Sequence, residues 1–497
     1  MFRRFLNHGS FGIFARTLFA SGMLFFLLAQ RGASQEPPTA ASEAKIEVVT
    51  RGPIHEAFAT VTTFEPMPSV VADSVPPPAV EEIPPSVKPS GNNVLWIPGY
   101  WGWDAEAKEF IWVSGLWRAM PPEARWIPGY WQPLERGAQW YSGFWINAST
   151  DKIVYLSAPP KTLERGPASP GDDASQFYVP GCWEPHEGRY RWRPGYWVPY
   201  QPGWVWTPAR YVVAASGYVY VPGYWDYRLG LRAQLYSPLR ITGAVVATGG
   251  IRHVPSDVLD LGNLQLHLFT RARSIAYLFG DYYDARFDPL GIRPWYEPHD
   301  ARVSVDPLLT YTAWASLQNG ENYVARLRSW HKYYVEHAAM RPAATLAGQV
   351  ELAKLHQGAA HLSASILSLS LEQVVDAAPD RFIRLAADEH AAVTETVRGL
   401  KLVAADRLKV EGAVRAANAT VATGQSIRLP IDPLGLPAVV IPSVSNATSV
   451  TGGLLGGTAT RVVPAEPTRL LRGIPAATEP VESFLREGDR ILPRLPF

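Results

Sequence analysis

A six-residue phrase, aromatic, any, any, Gly, any, aromatic, is written eight times between Trp96 and Trp225, once with Ala209 in the Gly position. The first four copies carry Trp96, Gly99, Trp101; Trp112, Gly115, Trp117; Trp126, Gly129, Trp131; and Trp140, Gly143, Trp145. The second four carry Tyr178, Gly181, Trp183; Trp192, Gly195, Trp197; Trp206, Ala209, Tyr211; and Tyr220, Gly223, Trp225. Copies start at 96, 112, 126 and 140, then at 178, 192, 206 and 220. A step near fourteen residues fits one strand of roughly ten residues and a turn of about four. Turns that short join only antiparallel neighbours. The expected fold is therefore mainly β with a C-terminal α region. It holds two four-stranded antiparallel meanders of aromatic repeats, sandwich or barrel-like, between flexible Pro-rich ends.

A Gly inside a strand weakens the ladder and needs a reason. One reading puts a one-residue bulge at the Gly, which turns both aromatics of a copy to the same face. The other keeps the strand regular and makes both faces aromatic. In either case the bare Gly leaves room for an aromatic of the next strand to lie over it.

Composition limits the function classes. The net charge of +1 and pI near 7.8 leave no basic block to hold nucleic acid. The single cysteine, Cys182, closes no internal disulfide, so packing must hold the chain together. It reads as a small buried residue in a position where other copies have Tyr. Arg3, Arg4 and Arg16 precede an apolar run from Thr17 to Ala29, and small residues follow at Gly32, Ala33 and Ser34. This is the pattern of a cleaved export signal, too short for a bilayer span. The expected address is the periplasm or cell surface, with no transmembrane span after signal removal.

The phrase resembles the WxxGxW (YXWGXW) repeat of secreted bacterial proteins. The segments RGPIHEAFA from Arg51, YLSAPPKTLERGP from Tyr155, GDYYDARF from Gly280, GIRPW from Gly291 and DPLLTYTAW from Asp306 are similar to long planctomycete-type members. The likeness spans about residues 45 to 345. It implies secretion and a repeat scaffold, and it brings no catalytic residue with it.

The chain divides into a signal peptide (1–34), a Pro-rich linker (36–92), a first meander (93–147), an insert (148–175) and a second meander (176–233). A β-rich extension with an aromatic loop (234–300), a helical region (301–421) and a disordered low-complexity tail (422–497) follow. Within the linker, His55 and Glu56 read as solvated. In the extension, Ile241–Ala247, Leu264–Thr270 and Ile275–Phe279 read as strands. Tyr323, Leu327, Trp330 and Tyr334 recur at helical spacing. Leu346–Val375 and Asp380–Val403 also read as helices, although Ser363–Ser370 alternates in the manner of a strand.

The residues admit several chemistries. Asp281, Asp284, Asp288, Glu297 and Asp306 lie in an aromatic-rich stretch, as glycoside cleavage by paired carboxylates requires. Asp is equally the residue that begins turns and caps helices. His253, His267, His299, His331 and His337 are scattered, without metal-ligand spacing. Neither a nucleophile elbow nor a phosphate loop occurs. The expectation is a non-catalytic structural or interaction protein of the bacterial envelope, without cofactor or metal, whose partner is an envelope polymer or protein. A carbohydrate-binding protein is the alternative, and a secreted glycoside hydrolase stands behind it. The turn-side rings Tyr200 and Trp204 are the expected ligand contacts.

Overall fold

Successive phrases pair two by two, and each pair folds back on itself as one hairpin. In the first, Val94–Ile97 pairs with Leu116–Ala119 and Tyr100–Asp104 with Glu109–Val113. The second joins Ala124–Ile127 to Phe144–Asn147 and Tyr130–Pro133 to Ala138–Tyr141. The third joins Gln176–Val179 to Tyr196–Pro199 and Cys182–His186 to Arg189–Arg193. The fourth joins Trp204–Thr207 to Tyr224–Tyr227 and Arg210–Ala214 to Gly217–Val221. The computed structural model describes residues 45–416, apart from 64, 67–69, 170, 172–173, 244–249, 273, 298–303 and 357–360, together with 426–428. Residues 1–44, where the export signal is expected, and the tail except for 426–428 lie outside the described residues.

Every hairpin is parted at its Gly. In the first, Ile97 faces Leu116 and Tyr100 faces Val113, so two residues are skipped on each arm and none is inserted. The other three keep register in the same way. The one-residue bulge is thereby excluded, and the regular register holds. Its consequence is a pair of aromatics facing each other above the gap and another pair below it. Trp96 faces Trp117 and Trp101 faces Trp112. The eight such pairs have ring centroids 5.0 to 5.5 Å apart. Tilted and edge-to-face pairs at this separation contribute roughly 0.5–1.5 kcal/mol each beyond area burial. The two pairs of the first hairpin enter different cores: Trp96 and Trp117 pack with Tyr236 and Val258, whereas Trp101 and Trp112 pack with Leu239 and Ile241.

The antiparallel, aromatic-rich architecture with C-terminal helices is as expected. Among the described residues, however, neighbouring hairpins share no ladder, so neither group of four is a continuous meander. The segments between hairpins explain this. Ala215 and Ser216 close a tight turn inside the fourth hairpin. Pro199-Tyr200-Gln201-Pro202-Gly203 instead connects the third hairpin to the fourth, and its prolines offer no ladder donors.

Residues 45–92 are built into the fold rather than acting as a spacer. Lys45–Val48 pairs with Leu239–Thr242, Gly52–Pro53 with Leu278 and Phe279, Val71–Ala72 with the second hairpin, and Val87–Pro89 with Phe382–Arg384. The prolines are no obstacle, because each pairing is only two to four residues long. His55 and Glu56, read as solvated, are 3 % and 5 % exposed. The apolar neighbours Ile54, Ala57 and Phe58 enter the largest core and carry them inside.

The extension forms a sheet of Leu268–Arg271, Tyr277–Phe279 and Ile292–Pro294. Its expected first strand, Leu264–Thr270, begins instead as a helical turn, Leu261–Leu266, capped by Asp260. The aromatic loop after it is ordered, with Tyr282, Tyr283, Phe287 and Trp295 buried. Helices Pro307–Leu317, Tyr323–Glu336 and Leu346–Leu355 follow. Tyr323, Leu327, Trp330 and Tyr334 form the buried face, as their spacing predicts. The alternating serines leave the helix: Ser368–Ser370 pairs with Asp257–Leu259, and Leu371–Ala377 restarts helically behind a Ser370 capping box. Phe382–Arg384 is likewise a strand, and the last helix runs from Ala387 to Ala416. Past it, Ser426–Arg428 pairs with Lys152–Val154 of the insert.

Two buried ion pairs tie distant segments together. Arg118 of the first hairpin donates from Nη2 to both oxygens of Asp226 of the fourth, at 2.7 and 2.6 Å, and Arg232 lies 3.1 Å from the same carboxylate. Arg407 and Glu411 of the last helix pair at 2.9 Å, and Glu411 accepts from Tyr130 and Tyr155.

The glycine gap gives a direct test. A Cβ at Gly115 would sit 2.6 Å from both the Ile97 carbonyl and the Trp96 ring, whereas one at Gly230 meets nothing within 4 Å. Urea unfolding should show Gly115→Ala less stable by about 1–3 kcal/mol and Gly230→Ala unchanged or slightly more stable.

Candidate functional site

Parting the ladder leaves backbone N–H and C=O groups without strand partners, and such groups are costly unless bonded wherever they are buried, as at Gly115, Gly143 and Gly181. Charged side chains fill the gaps, all but Arg193 from outside the phrases. At the first hairpin, Glu82 Oε2 accepts from the N–H of Gly99 at 3.2 Å and Gly115 at 2.8 Å, and Oε1 accepts from the Trp112 indole at 3.0 Å. At the second, Glu56 accepts from Gly143 N–H at 2.7 Å and the Trp140 indole at 3.1 Å. At the third, Glu164 accepts from Gly181 N–H and from the Tyr178 hydroxyl at 3.1 Å.

The carbonyls of the gaps are taken by cations and a histidine. Arg407 donates to the carbonyls of Pro128 at 2.6 Å and Ser142 at 3.2 Å. Arg193 does so for Pro180 and Pro194. His55 Nε2 donates to the Pro98 carbonyl at 3.1 Å, which leaves Nδ1 to accept from Ala57 N–H. The neighbours His55 and Glu56 thus join the first hairpin to the second. Among the described residues no carboxylate bonds a phrase glycine of the fourth hairpin, the one in which Ala209 replaces Gly.

Burial sets the protonation of this machinery. It pushes the Glu56 carboxyl up to about 7, against the pull of Gly143 N–H and the Trp140 indole. Glu82 is raised for the same reason. Burial pushes His55 down to about 4, so it is neutral at pH 7. None of the three carboxylates was singled out by sequence reasoning as a structural residue. The available signal was an acid beside apolar or Pro residues in each of three segments, HEAFA, VEEIPP (which has two) and KTLERGP.

The expected ligand rings are already occupied. Trp204 is 9 % exposed and lies against Tyr227, with centroids 4.7 Å apart. Tyr200 stacks on Trp314 at 4.4 Å and 9°. The two line a small cavity of about 20 Å³ closed by Pro307 and Tyr311, too small for a sugar ring. Both are packing residues at the contact between the Pro307–Leu317 helix and the fourth hairpin, not ligand contacts.

The acidic set is dispersed into capping roles. Asp284 caps a 3-10 turn through Arg286 N–H, and Asp306 caps the Pro307–Leu317 helix while accepting from Tyr277 at 2.7 Å. Asp281 accepts from Tyr283 N–H at 3.3 Å, and Glu297 is exposed. His267 is buried between Tyr283 and the Ala364 carbonyl, and His337 stacks on Tyr333. His299 lies outside the described residues. Among the described residues no three His, Cys, Asp or Glu side chains group as metal ligands. The Cys182 thiol is half-buried, and burial pushes it up to about 11.

Rings that do reach water concentrate on one hairpin. All four phrase aromatics of the third hairpin, Tyr178, Trp183, Trp192 and Trp197, are half-exposed, and Tyr196 joins them. In the first hairpin all four are buried. The second and fourth leave Trp131, Trp206 and Tyr220 half-exposed. Separately, the first, second and fourth hairpins and the Leu268–Pro294 sheet enclose an aromatic-walled cavity of about 130 Å³. No helix among the described residues is long and apolar enough to cross a membrane. Comparison with protein-family models, curated proteins and solved structures finds no match.

Glu56 gives a pH-dependent prediction. Its folded-state pKa lies above the ordinary 4.5, so the folded chain holds this proton more tightly than the unfolded one. The stability it contributes is complete below about pH 4.5 and falls as pH rises to about 7, by about 3 kcal/mol. Glu56→Gln removes that titration. Urea unfolding should show its stability, relative to wild type, rising by about 3 kcal/mol between those pH values.

Proposed function

We propose that this chain is an exported, non-catalytic structural or interaction protein of the bacterial cell envelope. Its aromatic-repeat hairpins serve as a rigid scaffold, and the third hairpin serves as the contact face. The observation that supports this reading is the uneven exposure of the phrase rings. The same residues that are sealed inside the first hairpin stand half in water on the third. Tyr and Trp present large, stiff contact area at little entropic cost and are enriched at interfaces. The basic-then-apolar start of the chain supports the address.

Carbohydrate binding is the second reading, and the same hairpin favours it. The Trp183 and Trp192 rings are half-exposed neighbours, with centroids 5.3 Å apart. Half-exposed indoles are suited to stacking on flat ligand faces. Both readings move the contact from Tyr200 and Trp204 to these two rings.

Binding of the signal-free chain to an isolated envelope fraction tests the proposal. Retention should fall roughly tenfold or more in the Trp183→Ala, Trp192→Ala double variant, the size expected for interface aromatic anchors. Titration with purified envelope polysaccharides, followed by Trp fluorescence, separates the readings: a saturating shift supports glycan binding, and a flat response alongside retained envelope binding supports a protein partner. Absence of envelope binding by the wild type, or its persistence in the double variant, counts against the third hairpin as the contact face.

A further inference from the structure

The cavity between the first, second and fourth hairpins holds a cation without a counterpart. Arg210 is 5 % exposed, lines this cavity, and its Nη1 has no hydrogen-bond partner among the described residues. The other charged groups of the wall are engaged. Glu56 holds Gly143 and Trp140, and Arg271 donates Nε to the Leu290 carbonyl. Asp104 and Glu106 share Arg51, at 3.8 and 2.6 Å, with Arg286 adding 3.5 Å to Glu106. A buried guanidinium left unpaired is costly, and such a group persists where something anionic completes it.

The remaining wall describes the body of the ligand. Tyr100 stacks on Trp140 at 4.7 Å and 15°, and Trp131 packs against Trp140 at 5.5 Å. Trp103 and Trp131 at the rim are half-exposed, which gives access from solvent. A cavity of about 130 Å³ is close in size to apolar cavities of roughly 150 Å³ that accept benzene. A flat body of one ring fits the cavity volume against this aromatic wall, and a planar carboxylate matches the guanidinium fork.

We propose that this cavity is a binding site for a single-ring carboxylate, with Arg210 as the anion contact and the Tyr100, Trp131 and Trp140 rings as the walls. Two sources share that chemistry, an aromatic acid and an acidic sugar. The site does not depend on the envelope reading or on the third hairpin, and its failure would leave both untouched.

Isothermal titration of the full chain with benzoate, benzamide, glucuronate and glucose tests the proposal. One of the two acids should bind roughly tenfold or more tightly than its neutral counterpart. Benzoate preference assigns the aromatic source, and glucuronate preference assigns the sugar source. Arg210→Met should lose roughly tenfold or more of that affinity, and without ligand its urea midpoint should rise, because an unpaired buried charge has been removed. Failure of both acids to bind overturns the proposal, as does equal binding by Arg210→Met or equal binding of acid and neutral counterpart. A lowered midpoint in Arg210→Met, with no ligand effect in wild type, assigns Arg210 to structure alone and also overturns it.

Discussion

The architecture depends on a break in the β-ladder that is repaired by charged side chains, most of them from outside the phrases. In every hairpin the backbone parts between one phrase pair of opposed aromatics and the other, and at most copies the bare Gly leaves room for a ring from the other arm to lie over the gap. The gap then exposes amide and carbonyl groups that no strand can serve. Glu82, Glu56 and Glu164 take the amides, and His55, Arg407 and Arg193 take carbonyls. Burying carboxylates is unfavourable by itself, as the raised Glu56 and Glu82 values show. What offsets it is the set of amide and indole donors that each carboxylate accepts.

This repair explains how weakly connected parts become one body. The hairpins share no ladder with one another, yet the His55-Glu56 dipeptide serves two of them, and the last helix reaches the second hairpin through Arg407. Glu411 then gathers Tyr130, Tyr155 and the Ala215 amide around the same guanidinium. These charges find their hydrogen-bond partners where the segments meet. The N-terminal segment and the C-terminal helix are therefore structural parts of the repeat region, although neither contains a copy of the phrase.

Much of this was legible in the sequence. The fourteen-residue step gave antiparallel strands, the bare Gly gave the ring over the gap, and the spacing of Tyr323, Leu327, Trp330 and Tyr334 gave a buried helix face. Pairing order was less legible, because a step of one strand and one turn fits a meander and a row of hairpins equally well. The role of Glu56 was hidden for a physical reason. A lone acid in a Pro-rich stretch is usually solvated, and only the gap more than eighty residues away, at Gly143, supplies the donors that bring it inside. Tyr200 was misread because its partners, Trp314 and Tyr311, lie on a helix far along the chain, and Trp204 because Tyr227 covers it across its own hairpin. Arg210 follows Ala209 in the one phrase without its first Gly, and nothing local marks it as unpaired.

A double-mutant cycle between Glu82 and Trp112, measured by urea unfolding, tests the account most directly. Glu82→Ala removes the acceptor and Trp112→Phe removes the indole donor while keeping a ring. If the carboxylate holds the parted ladder, the two changes are coupled by about 1–3 kcal/mol. Additivity to within about 0.5 kcal/mol would contradict it, and would leave aromatic packing alone to hold the hairpins.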